Sequence, residues 1–188
     1  MIYLAPLKAL CTEKIDSWKS KLNSYNISCI DYSSDDSGLG HLDADVIICT
    51  SEKLEYNSRL DDWMQQVKLV MIDEVHFLND DRGAVLEAVV SRLRIQSPSC
   101  RIVAVSATIP NIKDIANWLY PAKVCSFNDS MRPVPLQVHV FGYQKGIKKA
   151  FDFEFGLNYR LPGLISKYSE GKQTLVVSKG ILEQVNIL

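Results

Sequence analysis

An α/β fold, with a mostly parallel sheet and helices on both faces, is what this sequence of 188 residues predicts, and three observations predict it. Short, almost continuous apolar runs recur along the chain, the pattern of strands buried on both faces of a parallel sheet. Longer stretches between them carry apolar residues at helical spacing. Several runs also end abruptly in polar residues, and in open α/β sheets ligands bind outside the carboxyl ends of the strands. The clearest case is Val67-Lys68-Leu69-Val70-Met71-Ile72-Asp73-Glu74-Val75-His76, an apolar run closed by two adjacent acids.

Composition bounds the classes open to the chain. Hydrophobic residues at 47% and charged residues at 23% describe a globular domain with ample core material. No window reaches the roughly eighteen apolar residues of a membrane-spanning helix, and no signal-peptide pattern opens the chain. Cys11, Cys29, Cys49, Cys100 and Cys125 are scattered without a C-x-x-C pair, so they read as buried thiols and not as a zinc site or disulfide frame. A net charge of −1 supplies no global basic field, which counts against a passive DNA-coating protein. It does not count against a motor, which grips phosphates through a few loops and backbone amides.

Taken in order, Met1 to Ala5 is a buried strand stopped by Pro6, and Leu7, Leu10, Cys11, Ile15, Trp18 and Leu22 mark an amphipathic helix after it. That helix N-terminus suits a phosphate, although an ordinary strand-to-helix turn reads the same way. Ile27 to Tyr32 is a second strand, running into the polar turn Ser33-Ser34-Asp35-Asp36-Ser37-Gly38. Asp45 to Cys49 is a third strand. It leads into Thr50-Ser51-Glu52-Lys53, where Thr50 is either a plain helix cap or a phosphate contact. Arg59 and Trp63 follow, with Trp63 read as core. After the acids, Asn79-Asp80-Asp81-Arg82-Gly83 is a charged turn, and a helix follows through Arg94. Leu86, Val89, Val90 and Leu93 form its apolar stripe, with Glu87 and Arg92 facing outward. Arg101 to Val105 is a further strand ending in Ser106-Ala107-Thr108. Pro110 opens a helix with Ile112, Ile115, Ala116 and Leu119 on one face, and Pro121 stops it. Beyond it, Gln137 to Phe141, the phenylalanines of Phe151-Asp152-Phe153-Glu154-Phe155, and Lys172 to Val177 all read as strands.

The chemistry lies at the strand ends. A metal-bound nucleotide needs one acid for the Mg²⁺ shell and another to orient and deprotonate the attacking water. Asp73 and Glu74 meet that need, although the pair alone also suits a strand ending in a polar turn. Two hydroxyls at the end of the next run, Ser106 and Thr108, are placed to bond His76 and sense the nucleotide across the crevice.

These residues resemble the motifs of superfamily 2 DExH-box helicases. Asp73-Glu74-Val75-His76 is similar to motif II, Ser106-Ala107-Thr108 to motif III, and Ala5-Pro6-Leu7-Lys8-Ala9-Leu10 to motif Ia. Thr50-Ser51-Glu52-Lys53 resembles the family's Thr-Pro-Glu-Lys, with Ser51 in place of proline. The resemblance covers residues 1 to about 180 and is nearest to the branch of the meiotic crossover DNA helicases. Lys8-Ala9-Leu10-Cys11 with Trp18, Leu86 to Arg92, Met131-Arg132-Pro133-Val134-Pro135-Leu136 and Leu157-Asn158-Tyr159-Arg160 carry that branch. It implies a RecA-like sheet and a nuclear enzyme that uses ATP and Mg²⁺ to unwind DNA 3′-to-5′ in meiotic recombination. Its partner would be single-stranded or branched duplex DNA. Residue by residue, it implies Asp73 as the Mg²⁺-side acid, acting through water, and Glu74 as general base. His76, Ser106 and Thr108 would couple nucleotide to nucleic acid. Pro6, Lys8, Thr50 and Arg82 would lie along the nucleic-acid backbone. An RNA-unwinding relative and a non-catalytic binding fragment are the alternatives.

The implied organisation is an ATP-binding domain over 1–130, a connector with edge strands over 131–170, and the start of a second RecA-like domain over 171–188. Two family features are missing from the sequence. No G-x-x-x-x-G-K-S/T phosphate loop occurs; Gly171-Lys172-Gln173-Thr174 lacks the first glycine, since Ser166 stands there, and the final hydroxyl. The arginine-bearing motif VI is also absent. The sequence therefore reads as a fragment, isoform or truncated gene product whose sheet lacks its phosphate-loop strand, leaving the flanks of Val103 and Val105 bare.

Overall fold

In a computed structural model of the chain, which describes residues 1–33, 44–58, 62–107, 109–119, 121–144, 153 and 156–177, the apolar runs become five strands of one sheet. They are β1 (Ile2–Ala5), β2 (Cys29–Asp31), β3 (Val46–Thr50), β4 (Leu69–Ile72) and β5 (Arg101–Ala104). All pairings are parallel, in the order β2-β3-β1-β4-β5. Parallel neighbours need crossovers, and helices supply them. α1 (Lys8–Asn23) lies between β1 and β2, α2 (Ser51–Ser58) between β3 and β4, and α3 (Gly83–Gln96) between β4 and β5, while α4 (Ile112–Trp118) follows β5.

Alternation along the strands sorts the core into two layers. Ile2, Leu4, Ile47, Cys49, Val70 and Ile72 face Leu54 of α2 and the stripe Leu86, Val89, Val90 and Leu93 of α3. Tyr3, Ala5, Val46, Ile48 and Cys29 face the other way, against Cys11, Ile15, Trp18 and Leu22 of α1. The expectation of helices on both faces is therefore met. Among the described residues β5 pairs only with β4, and Val105 just beyond it is 55% exposed, while Val103 is partly buried.

The connectivity decides where a site belongs. From β1 the chain passes through α1 toward the β3 side of the sheet; from β4 it passes through α3, on the opposite face, toward β5. The point between β1 and β4, where the connections diverge, opens a crevice at the carboxyl ends of the strands.

The chain divides into two compact units, Met1–Phe127 and Asn128–Leu188. In the second, helix α5 (Leu161–Tyr168) begins with a proline in its first turn, as a helix tolerates. His139 stacks within 4.3 Å of Tyr168, and Arg160 lies over the Tyr143 ring at 4.4 Å. The expected edge strands are not found there among the described residues. Gln137 to Phe141 and Lys172 to Val177 take no strand pairing; of the expected strand over Phe151 to Phe155, Phe151, Asp152, Glu154 and Phe155 lie outside the described residues, and residues 153 and 156–158 are helical. Alternating apolar residues suit a strand, but a strand exists only where a neighbour completes its ladder. A second correction concerns Arg92. It does not simply face outward: it reaches Glu55 of α2 at 3.5 Å and is only partly exposed.

Burial leaves a signature in pH. The Cys11 thiol is pushed up to about 11, chiefly by burial, and Cys29 and Cys49 are also raised by burial. A thiol with a folded value above its unfolded value of about 8.5 stabilises the fold fully below that point, and loses the contribution as pH rises through the folded value. The urea midpoint of the chain should therefore fall between about pH 8.5 and 11, and less steeply in Cys49→Ala. A midpoint flat across that range would contradict the burial of these thiols.

Candidate functional site

Because every strand is parallel, β1, β3, β4 and β5 deliver their terminal residues to one edge of the sheet. There an open cleft is lined by Ala5 at the end of β1 and Pro6 after it, Glu52 after β3, Asp73 and Glu74 after β4, and Arg82. Residues that lie far apart in the chain are thus brought together at the switch point.

Asp73 continues the β4 ladder, its N–H donating to Leu4 O at 2.9 Å. Its carboxylate is held on both oxygens: Oδ1 accepts from the Glu74 N–H at 3.1 Å, and Oδ2 accepts from the Tyr3 hydroxyl. The Tyr3 phenol is raised well above its ordinary value, first by burial and then by this hydrogen bond, so it remains a donor. Glu74 takes left-handed backbone angles (φ 52°, ψ 48°), which cost a non-glycine residue on the order of 1–2 kcal/mol. The conformation persists because both neighbours are tied to the sheet. Asp73 is fixed to β1 as above, and the Val75 N–H donates to Val105 O at 2.9 Å. The turn Val75–Asn79 is then closed by the Phe77 N–H on Glu74 O at 2.9 Å.

His76 stands between the two strand ends. Its Nδ1 lies 3.2 Å from Glu74 Oε2, 3.4 Å from Ser106 Oγ and 3.4 Å from the Ala107 N–H. One ring nitrogen cannot serve all three. Protonated, it donates to Glu74; unprotonated, it accepts from Ala107 and Ser106. The expected proximity of Ser106 to His76 is therefore present. Thr108, Arg59 and the loop over 34–43 lie outside the described residues.

The remaining candidates differ in setting. Pro6 lies on the cleft wall and Lys8 is exposed at the first residue of α1. Leu7 at the cap of that helix offers no side-chain acceptor to its first N–H groups, which favours an anion there. Thr50 is 5% exposed, and its Oγ1 accepts from the Lys53 N–H at 3.4 Å, so here it is a helix cap. Arg82 is exposed and pairs with Glu52 across the cleft, Nε to Oε1 at 3.8 Å. Gly83 holds that arrangement in place, because a Cβ on it would stand 2.0 Å from Leu78 O.

A family model described as DEAD/DEAH box helicase matches residues 1–115. The chain belongs to the DEAD/DEAH box helicase family. Among the helicases it resembles, it is 43% identical to the Arabidopsis thaliana ATP-dependent DNA helicase homolog MER3, over 93% of this chain and 17% of that protein. It is 37% identical to the probable ATP-dependent DNA helicase HFM1 of Homo sapiens, over 100% of this chain and 15% of that protein. With MER3 of Saccharomyces cerevisiae it shares 35% identity over 94% of the chain and 16% of the protein. The chain thus spans about a sixth of the length of these relatives. A solved structure of a yeast Dbp5 variant bound to Nup159, Gle1, IP6 and ADP superposes with a TM-score of 0.54 at 20% identity, over 65% of this chain and 33% of that one, so the two share a fold. The resemblance to the meiotic crossover branch is borne out by these names.

Three parts of this site were not read from the sequence. The Tyr3 contact spans seventy positions; its one signal was a phenol in an otherwise apolar buried strand, which must find a partner. The Glu52–Arg82 pair and the Gly83 close approach left no signal beyond the residue types. Gly83→Ala should destabilise the chain by about 1–3 kcal/mol, the cost of forcing extra volume against backbone that cannot move aside. Chemical denaturation of the two proteins measures this, and equal midpoints would show that α3 can retreat from Leu78.

Proposed function

We propose that this chain carries the Asp-Glu-x-His part of the ATP-hydrolysing site of a nuclear 3′-to-5′ DNA helicase acting in meiotic recombination. The observation that carries the reading is that Asp73 and Glu74 line the cleft at the switch point between β1 and β4, while His76 joins Glu74 to Ser106 beyond the neighbouring β5. The names of the relatives support ATP-dependent DNA unwinding, and the spacing of the motifs agrees with it. In this reading 1–130 belongs to the ATP-binding domain, 131–170 is a connector and 171–188 begins a second RecA-like domain.

The donor set fits Mg²⁺. That ion keeps several waters and binds through one or two carboxylates plus phosphates, and a dedicated cage of three or more His, Cys, Asp or Glu donors is absent among the described residues. Asp73 would hold the ion through water, and the bound ion would neutralise phosphate charge. Glu74 accepts the proton of the attacking water, and its backbone geometry aims the carboxylate away from the ladder. His76 links that base to Ser106, so a movement of the β5 end changes which group its Nδ1 serves. On the nucleic-acid side, exposed Lys8 and Arg82 and the α1 N-terminus with Pro6 suit phosphate better than the buried Thr50 hydroxyl does.

A second reading has its own observation. The 188 residues hold no phosphate loop, whose amides and lysine grip the terminal phosphates. By themselves they suit a DNA- or protein-binding segment, whose mark would be salt-dependent DNA binding without ATP turnover.

The test joins this segment to a phosphate loop. Glu74→Gln should then retain nucleotide binding while DNA-stimulated hydrolysis drops by about 10²-fold or more, the scale of losing a general base. Hydrolysis at the parental rate in that variant would remove Glu74 from the mechanism. The 188-residue chain alone should show no turnover, because nothing in it holds the terminal phosphates in line.

A further inference from the structure

The residue that completes the site on the α1 side of the sheet belongs to none of the motifs. Tyr3 lies in β1 and is 4% exposed, in a strand whose other residues are aliphatic. Its register partner on β4 is Met71, two positions before Asp73, so Tyr3 and Asp73 share one face. A phenylalanine would fill the same space. The hydroxyl is the difference, and it donates to the carboxylate Oδ2 of Asp73. The ring cannot swing away easily. Trp18 of α1 packs edge-on against it, with ring centroids 5.0 Å apart and planes at 71°, and the Lys14 ammonium lies 5.8 Å from its centre.

We propose that Tyr3 is the positioning residue for Asp73: its hydroxyl fixes the carboxylate so that the lone pairs left on both oxygens face the cleft and a hydrated divalent cation. The inference rests on the reading of Asp73 as the cation-side acid. Without the phenol, among the described residues only the Glu74 N–H on Oδ1 would restrain the carboxylate, and that donor is its own chain neighbour. A carboxylate held at one oxygen turns about its Cβ–Cγ bond. A hydrogen bond to a charged acceptor, delivered from a ring locked by packing, removes that freedom. Tyr3 therefore acts through Asp73 and touches neither nucleotide nor cation.

The test uses the 188-residue chain and Mn²⁺ alone as probe, reading paramagnetic broadening of the Asp73 and Glu74 amide signals. Tyr3→Phe should raise the Mn²⁺ concentration for half-broadening by about 10-fold, the lower end of the range for removing an outer-shell partner, with the circular dichroism unchanged. Asp73→Asn should abolish the effect, and adding Tyr3→Phe to it should change nothing further. A Tyr3→Phe curve that overlays the wild type while Asp73→Asn loses binding overturns the proposal and leaves the acid assignment standing. Broadening that survives Asp73→Asn removes that acid assignment, and the positioning role with it. A measurement on the wild type needs no Tyr3 variant: with tyrosine labelled at the ring carbon bearing the hydroxyl, the Tyr3 signal should move when Mg²⁺ is added. A Tyr3 signal that stays fixed while the Asp73 amide responds also overturns the proposal.

Discussion

The site depends on the parallel pairing of β1 with β4. That ladder places the ends of two strands side by side, and the hydrogen bond from the Asp73 N–H to Leu4 O carries it one residue past β4. Everything chemical is arranged from that point. Ala5 and Pro6 leave the sheet on one side of it, and Asp73 and Glu74 on the other. A switch point arises because α1 and α3 cover opposite faces, so the backbone must part there. The core enforces this arrangement. Moving β4 by one residue would turn Val70 and Ile72, both almost fully buried, out of the α3 layer.

The same constraint explains a strained residue. Glu74 has the left-handed conformation of a sharp corner, although nothing in its side chain favours it. With Asp73 held by β1 and Val75 held by the end of β5, the intervening residue has no other way to close the distance. The strain is spread over a sheet edge that is already formed, and this is how sparsely populated backbone states persist. Its effect is to bring Glu74 Oε2 beside His76 and keep it on the cleft wall.

Much of this was legible in the sequence, for physical reasons that differ by element. Strands buried on both faces leave uninterrupted apolar runs, so all five were read within a residue or two of their observed ends. The α3 stripe was read because its four apolar residues match the helical period. Partner-dependent features were not legible. Arg92 lies on the outward side by periodicity alone, but α2 brings Glu55 to meet it. The runs near 137–141 and 172–177 read as strands yet have no ladder among the described residues. Thr50 carries both a cap and a phosphate reading in sequence; in the structure it is buried and its Oγ1 accepts from the Lys53 N–H as a cap. The hydroxyl of Tyr3 meets Asp73 only once the sheet has formed.

Charge supplies the last step. Glu52, Asp73 and Glu74 line the cleft against the single guanidinium of Arg82, and three carboxylates less one guanidinium leave two formal negative charges. Arg82 is moreover engaged with Glu52. A bare polyphosphate approaching that wall meets repulsion. The electrostatics of the described residues therefore disfavour a free nucleotide and favour one already paired with a divalent cation. On the proposed reading, the same negative wall would leave a backbone phosphate to the exposed Lys8 and the α1 N-terminus, where Leu7 provides no side-chain cap. On the proposed reading, one edge of one sheet would hold a cation-bound nucleotide at its acidic end and a backbone phosphate at the α1 N-terminus. The pairing of β1 with β4 sets the distance between them.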